Sequence, residues 1–165
     1  MNTHSLSLVA MLAACVLAFG GGCGRPYDVA TPDGFVELTE DGDRTYDANA
    51  EEYRASTADG VVLAVRAWDN EPKVDLTVAT RSLENRTRLG QGYALLEKKE
   101  VLAADGTKGT ALYLGHDQEG QAHLYRVVVF VTDDHVYIVE AGGKKELFEK
   151  ATKSVDWFIA NFRPD

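Results

Sequence analysis

Hydrophobic and polar positions alternate along most of the chain in a way that predicts a series of short strands. Residues 53–57 and 61–68 form a predicted hairpin, because Asp59-Gly60 between them is a typical tight-turn sequence. Four further strands are predicted at residues 93–102, 107–115, 121–132 and 135–141. The connections between these four are short, with turn sequences at Asp105-Gly106, residues 117–120 and Asp133-Asp134, so neighbouring strands should pair antiparallel.

The strand predicted at residues 121–132 differs from the others in its pattern. Within residues 127–131 the side chains on both alternating faces are apolar. A strand with two apolar faces is typical of the centre of a sheet that is covered on both sides. The last strand is predicted to end at Gly142-Gly143, because glycine is unfavourable inside a strand.

Two segments have helical periodicity. Residues 75–89 carry a thin stripe with Leu76, Thr80, Leu83 and Thr87 at helical spacing. Residues 144–162 carry a much stronger stripe, made of Leu147, Phe148, Ala151, Val155, Phe158, Ile159 and Phe162. The order is strand, hairpin, helix, four-strand meander and helix. It predicts an α+β fold with an antiparallel sheet of about six to seven strands and helices packed on it.

The N-terminus has the pattern of an export signal. Residues 6–19 form an uncharged apolar run of about 14 residues, which suits a signal-peptide core and is short for a membrane span. Residues 1–5 depart from the pattern, since they contain no Lys or Arg. We therefore divide the chain into a signal peptide at 1–22, a tether at 23–33 and a single domain at 34–165.

Both cysteines of the chain lie in this region, and the small residues before each resemble a bacterial lipobox. Cys23 is the favoured lipid acceptor because it follows the complete apolar run. Cys15 is the alternative, since Leu12-Ala13-Ala14 precedes it, and an ordinary secreted protein or an uncleaved anchor is a third possibility. Gly24, rather than Asp, follows Cys23, which by resemblance to sorting in enteric bacteria favours the periplasmic face of the outer membrane.

Composition narrows the possible functions. The chain is 45% hydrophobic and 26% charged, as in an ordinary globular protein, and its formal net charge is −9. A strongly acidic surface repels phosphate backbones and anionic headgroups. The charge therefore argues against nucleic-acid binding, and leaves the N-terminal lipid as the predicted membrane contact.

No catalytic, cofactor-binding or metal-binding residue is assigned from the sequence. If the hairpins pair as predicted, His116 and His123 lie near one end of the sheet and His135 lies about 30 Å away. That separation excludes a three-histidine metal site. The mature serines lie outside any nucleophile-elbow motif, and the mature part has no cysteine for thiol chemistry. We therefore expect a protein that is not an enzyme.

Trp157 is the candidate partner contact. Its helical phase places it away from the apolar stripe of residues 144–162, beside Lys150 and Lys153. An exposed Trp suits a partner-binding role, because Trp is enriched among the residues that dominate interface energies. The alternative is a Trp folded over the flank of the helix or under a loop.

The mature chain resembles the PsbP/DcrB-like superfamily. The resemblance is carried by "TPDGF" at 31–35, "GYALLEKKEVLAADGTKGTALYL" at 92–114, "RVVVFVTDDHVYIVEA" at 126–141 and "SVDWFIANFRP" at 154–164. It implies an α/β/α sandwich and a non-catalytic accessory or binding role for another envelope component. The alternative hypothesis is an envelope protein that binds a small ligand or a lipid between a helix and the sheet.

Overall fold

The computed structural model describes residues 25–38 and 51–165. The predicted signal peptide, Cys15 and Cys23 lie outside these residues. The described residues form nine strands and two α-helices: β1 (Tyr27–Asp28), β2 (Val36–Glu37), β3 (Glu51–Ser56), β4 (Val62–Asp69), α1 (Leu76–Asn85), β5 (Ala94–Leu102), β6 (Lys108–Gln118), β7 (Gln121–Val131), β8 (His135–Lys144), α2 (Lys145–Asn161) and β9 (Arg163–Pro164).

Seven of these strands form one antiparallel sheet in the order β2-β3-β4-β8-β7-β6-β5. The predicted hairpin is β3 and β4, and the predicted meander is β5 to β8. The two units join where β4 pairs with β8, so the last strand of the meander lies at the centre of the sheet. The predicted α+β fold with a mainly antiparallel sheet is confirmed.

The hairpin turns form where the sequence indicated them. Gly60 and Gly106 have φ values of +89° and +90°, a left-handed conformation that glycine adopts without a steric penalty. In the turn between β6 and β7, both Glu119 and Gly120 have positive φ. Two positive φ values suit the type I′ turn that matches the twist of a hairpin.

The two helices cover opposite faces of the sheet. Val128 and Phe130 of β7 belong to a core cluster with Phe148, Val155 and Phe158 of α2. Val127, the residue before Val128, belongs to a second cluster, against which Leu83 of α1 packs. Because consecutive residues of a strand face opposite sides, the sheet lies between the helices as an α/β/α sandwich. The prediction of two covered faces on β7 is confirmed, since residues 127–130 are all buried.

Local sequence signals determine where α1 begins. The Asp75 carboxylate accepts a hydrogen bond from the Val78 amide at 2.8 Å, as an N-terminal cap does. The helix was predicted to continue to residue 89. It is α-helical only to Asn85, and residues 86–90 form a π-helical turn, inside which Thr87 is buried.

The prediction that Gly142-Gly143 ends the last strand is wrong. Strand β8 continues to Lys144, and Gly142 pairs with Val62 on one side and Tyr125 on the other. A Cβ atom added at Gly143 would lie 3.2 Å from Cγ2 of Val61. The glycines therefore allow neighbouring side chains to pack closely on a strand that has a hydrogen-bonding partner on each side, and this pairing outweighs the low strand propensity of glycine.

Part of the tether predicted at residues 23–33 is docked on the domain instead. Strand β1 pairs with β9, with Tyr27 opposite Pro164. The Tyr27 side chain is 3% exposed and lies against the rings of Tyr137 and Phe162. Burial of this aromatic ring, which the short pattern at residues 25–33 did not indicate, holds the segment in place.

Candidate functional site

The outer face of α2 carries the predicted contact residues, which we call the Trp157 surface: Trp157, Lys150 and Lys153. Trp157 is 45% exposed, and both lysines are exposed. The backbone oxygen of Trp157 accepts a hydrogen bond from the Asn161 side chain at 2.8 Å, within the helix. The three side chains share one side of α2 because positions three, four and seven apart lie on one face of an α-helix.

The opposite face of α2 is part of the core. Phe158, one residue after Trp157, is 1% exposed and stacks on Tyr53 of β3 at a centroid distance of 5.6 Å. Val155 is fully buried. The exposure of Trp157 agrees with the helical phase predicted from the sequence, whereas its role as a partner contact remains a prediction.

The histidines are placed as the predicted register requires. His116 and His123 lie directly opposite each other on β6 and β7, and His135 begins β8 at the other end of that strand pair. Within residues 25–38 and 51–165, no three His, Cys, Asp or Glu side chains converge as metal ligands would. Instead, His116 lies against the Tyr93 ring at 5.1 Å, and His135 lies 3.7 Å from the Asp69 carboxylate.

A charged network lies on the α1 face of the sheet, centred on Glu140 of β8. Both carboxylate oxygens of Glu140 accept from Nη2 of Arg66 at 2.5 Å, and Oε1 also accepts from the Tyr125 hydroxyl. Burial, reinforced by the negative charge of Glu140, raises the pKa of the Tyr125 phenol far above its usual range. The phenol therefore stays protonated and donates a hydrogen bond to Glu140, so the network is an ion pair of Arg66 and Glu140 supported by a hydrogen bond.

A cavity of about 320 Å³ adjoins this network. Tyr93, His116 and Tyr125 contribute aromatic rings to its wall, and the Tyr93 and Tyr125 rings are 5.3 Å apart. Arg54 and Glu140 contribute charge. The cavity wall thus combines aromatic rings, on which a planar group could stack, with the Glu140 carboxylate, which is already paired with Arg66.

Two charged residues of the sheet interior, Glu140 and Arg126, were not predicted from the sequence to belong to a site. A signal for both was present, because each is a single charged residue inside an apolar strand. Such a position in a central strand indicates a buried charge that needs a partner. The partner could not be read from the sequence, since Arg66 and Asp156 lie 74 and 30 residues away from Glu140 and Arg126, respectively.

Comparisons with known proteins bear on the fold. No protein-family model matches the sequence, and no curated protein matches it. Among solved structures, cyanobacterial PsbP (CyanoP) from Synechocystis sp. PCC 6803 is similar with a TM-score of 0.54 and 14% identity, covering 90% of this chain and 99% of that chain. The domain has a PsbP-like fold. The resemblance inferred from the sequence is thereby confirmed at the level of fold.

The PsbP-like architecture is shared with two further structures. LpqN, which is involved in cell envelope biogenesis in Mycobacterium tuberculosis, has a TM-score of 0.53 and 14% identity, covering 88% of each chain. PA94, a Pseudomonas aeruginosa protein of unknown function, has a TM-score of 0.53 and 14% identity, covering 74% of this chain and 92% of its own. Identities this low establish the fold alone.

Neither α1 nor α2 is long and apolar enough to cross a membrane, and these are the α-helices of the described residues.

Proposed function

We propose that this chain is a non-catalytic cell-envelope lipoprotein that serves as an accessory or binding module for another envelope component. The export signal and Cys23 support the location. The PsbP-like fold supports the role, because LpqN has the same fold and is involved in cell envelope biogenesis. A shared fold alone is weak support for a function, so we infer the binding role from the surface of the domain.

The observation that carries the proposal is the Trp157 surface. An indole 45% exposed on a rigid helix has a large apolar area still available for burial. The neighbouring Asp156 carboxylate is directed to Arg126 of β7, so its charge is paired on the domain side of α2. The cations beside the indole on this face are Lys150 and Lys153, with Glu146 exposed one turn before Lys150, in a chain whose net charge is −9.

The charge of this surface indicates the chemistry of the partner. The matching surface is acidic and contains an apolar pocket that admits an indole ring. An interface of this kind buries the aromatic residue at its centre and leaves the charged residues at its rim. We propose that Trp157 is the central residue and that the two lysines favour encounter with an acidic envelope protein.

Site-directed photo-crosslinking in native membranes tests the role of this surface. A benzophenone amino acid is placed at Trp157 or, as a control, at Leu89, which is 84% exposed next to α1 on the other side of the sheet. We expect one discrete protein adduct from position 157 and none from position 89. The adduct should disappear when the crosslinker stays at 157 and both lysines are changed to glutamate. Equal adducts from both positions would contradict the proposal.

Because the β1 segment is docked on the domain, the choice of lipidated cysteine sets how far the domain can lie from the membrane. Arg25, the first described residue, pairs with Glu37 of β2 at 3.1 Å and lies 5.4 Å from the Tyr53 ring centroid. Cys23 precedes Arg25 by two residues, a span of at most about 7 Å. Lipidation at Cys23 would thus hold the domain close to the bilayer, whereas Cys15 would allow a tether of about 35 Å.

Replacement of the acceptor cysteine tests the anchor. We expect Cys23→Ala to abolish lipidation and to give either a soluble protein or an uncleaved precursor, because the lipidated cysteine provides the attachment. The matched control Cys15→Ala should leave the protein in the outer-membrane fraction. Fractionation followed by mass spectrometry of the N-terminus makes the measurement. A lipidated N-terminus at Cys15 would show that the acceptor has been misassigned.

A further inference from the structure

A second cavity lies on the other side of the molecule, between the first turns of α2 and the β5 end of the sheet. Its volume is about 400 Å³, within the range of sites that hold small ligands. Apolar and aromatic side chains form much of its wall, including Leu96, Tyr113, Leu124 and Phe148. Leu96 is 61% exposed, so one side of the cavity is reached from solvent.

Arg126 supplies a buried positive charge to this cavity. The residue is 7% exposed, and its guanidinium carbon lies 4.5 Å from the Tyr113 ring centroid and 5.9 Å from that of Phe148. Stacking between aromatic rings holds the planar guanidinium in one orientation. Arg126 is therefore a fixed, desolvated cation in an apolar wall, where its field is weakly screened.

Arg126 has N–H donors that make no hydrogen bond within the described residues. One terminal nitrogen donates to the Asp156 carboxylate, whereas Nε is buried and has no hydrogen-bond partner among the described residues. A guanidinium has five N–H donors, and a buried donor without an acceptor is unfavourable. Because Nε is shielded from solvent, an acceptor in the cavity would bind the terminal N–H donors that Asp156 leaves unused.

The charges around the cavity favour an anionic acceptor. Asp156 is 58% exposed, so solvent weakens its hold on Arg126. Glu97, in the cavity wall, is paired with Lys99 at 2.9 Å, and the Lys99 amine lies 5.2 Å from the Tyr113 ring centroid. Glu97 is thus paired with Lys99, whereas Arg126 is held by a carboxylate that solvent weakens, so an anionic ligand in the cavity can compete with Asp156 for Arg126.

We propose that this cavity binds a small organic anion, with its carboxylate, sulfonate or phosphate group on Arg126 and its apolar body against Leu96, Leu124 and Phe148. A charged oxygen group matches the fork of guanidinium donors, and the apolar wall accommodates a hydrocarbon or ring. The proposal does not require the anchor or a partner at the Trp157 surface, although Asp156, the competing carboxylate, is the residue before Trp157. The competing explanation is that Arg126 and Asp156 only attach α2 to the sheet.

Two probes of the same shape and different charge test the proposal. The full-length chain is reconstituted in phosphatidylcholine nanodiscs and titrated calorimetrically with naphthalene-1-sulfonate or with the uncharged naphthalene-1-sulfonamide, with empty nanodiscs as the blank. We expect saturable binding of the sulfonate at least about tenfold tighter than that of the sulfonamide. Equal affinities, or no saturable binding of either probe, would overturn the proposal.

Charge variants separate a ligand site from a structural ion pair. Asp156→Asn removes the carboxylate that competes for Arg126, so the sulfonate should bind at least about threefold more tightly. Glu149→Gln makes the same charge change on an exposed position of α2 and should leave the affinity unchanged. Arg126→Gln should weaken sulfonate binding at least about tenfold and sulfonamide binding little.

The Asp156→Asn variant keeps the test decisive if Arg126→Gln does not fold. The asparagine amide is isosteric with the carboxylate and keeps an oxygen that can accept from Arg126, so we expect the domain to fold with a reduced stability. A purely structural ion pair predicts a lower melting temperature for this variant and an affinity indistinguishable from that of Glu149→Gln. That outcome would show that Arg126 only holds α2 against the sheet.

Discussion

Phe130→Ala should lower the free energy of unfolding by about 3–5 kcal/mol, a large share of the stability of a domain of this size. Phe130 is fully buried and stacks on Phe162 at a centroid distance of 5.2 Å. Its ring occupies the space over Gly109 of β6, where an added Cβ atom would lie 2.5 Å from the ring. Removing the ring leaves a cavity in closely packed surroundings, and urea denaturation measures the cost.

Two further variants make the Phe130 result interpretable. Val129→Ala probes the opposite face of the same strand, where Val129 is 1% exposed, and we expect a smaller but distinct loss. Leu102→Ala, at a position 59% exposed on edge strand β5, should change stability little. A loss below about 1 kcal/mol for Phe130→Ala would mean that the α2 face of the sheet is open, and the sandwich would be wrong.

Trp157→Ala and Phe158→Ala, one residue apart on α2, should have opposite effects on stability and binding. Phe158→Ala should cost about 3–5 kcal/mol, because its ring is buried and stacks on Tyr53. Trp157→Ala should change the melting temperature little, since truncating a half-exposed side chain leaves no core cavity. It should instead weaken partner binding by about 2 kcal/mol or more.

Thermal unfolding of both variants and the affinity of each for the crosslinked partner make this comparison. Lys153→Ala is the control on the exposed side of the helix, and we expect a modest loss of affinity with unchanged stability. If Trp157→Ala unfolded the domain as severely as Phe158→Ala, the indole would be a core residue. That result would contradict the proposed binding role of the Trp157 surface.

The sequence by itself determined the elements whose signals are local. Glycines after aspartate defined the β3–β4 and β5–β6 turns, since only glycine adopts a left-handed conformation there without a steric penalty. The apolar stripe of α2 fixed the phase of that helix, and so predicted that Trp157 faces outward and Phe158 inward. The apolar pattern on both faces of β7 predicted the two-sided sandwich.

Tertiary structure decided what depends on contacts between distant segments. Strand β1 has two residues, and its partner β9 lies at the other end of the chain, so no local pattern could reveal the pair. Strand β8 passes through Gly142-Gly143 because β4 and β7 flank it, and hydrogen bonds on both sides outweigh a weak local propensity.

Two charged residues inside the sheet, Arg126 and Glu140, show the same difference between local and tertiary information. The sequence shows that Arg126 and Glu140 interrupt apolar strands, and strand alternation alone gives the face of each residue relative to its neighbours. Only the folded chain brings Asp156 to Arg126, and Arg66 and Tyr125 to Glu140. Ion pairs and cavities of this kind arise from the packing of separate elements, and packing is a property of the three-dimensional arrangement.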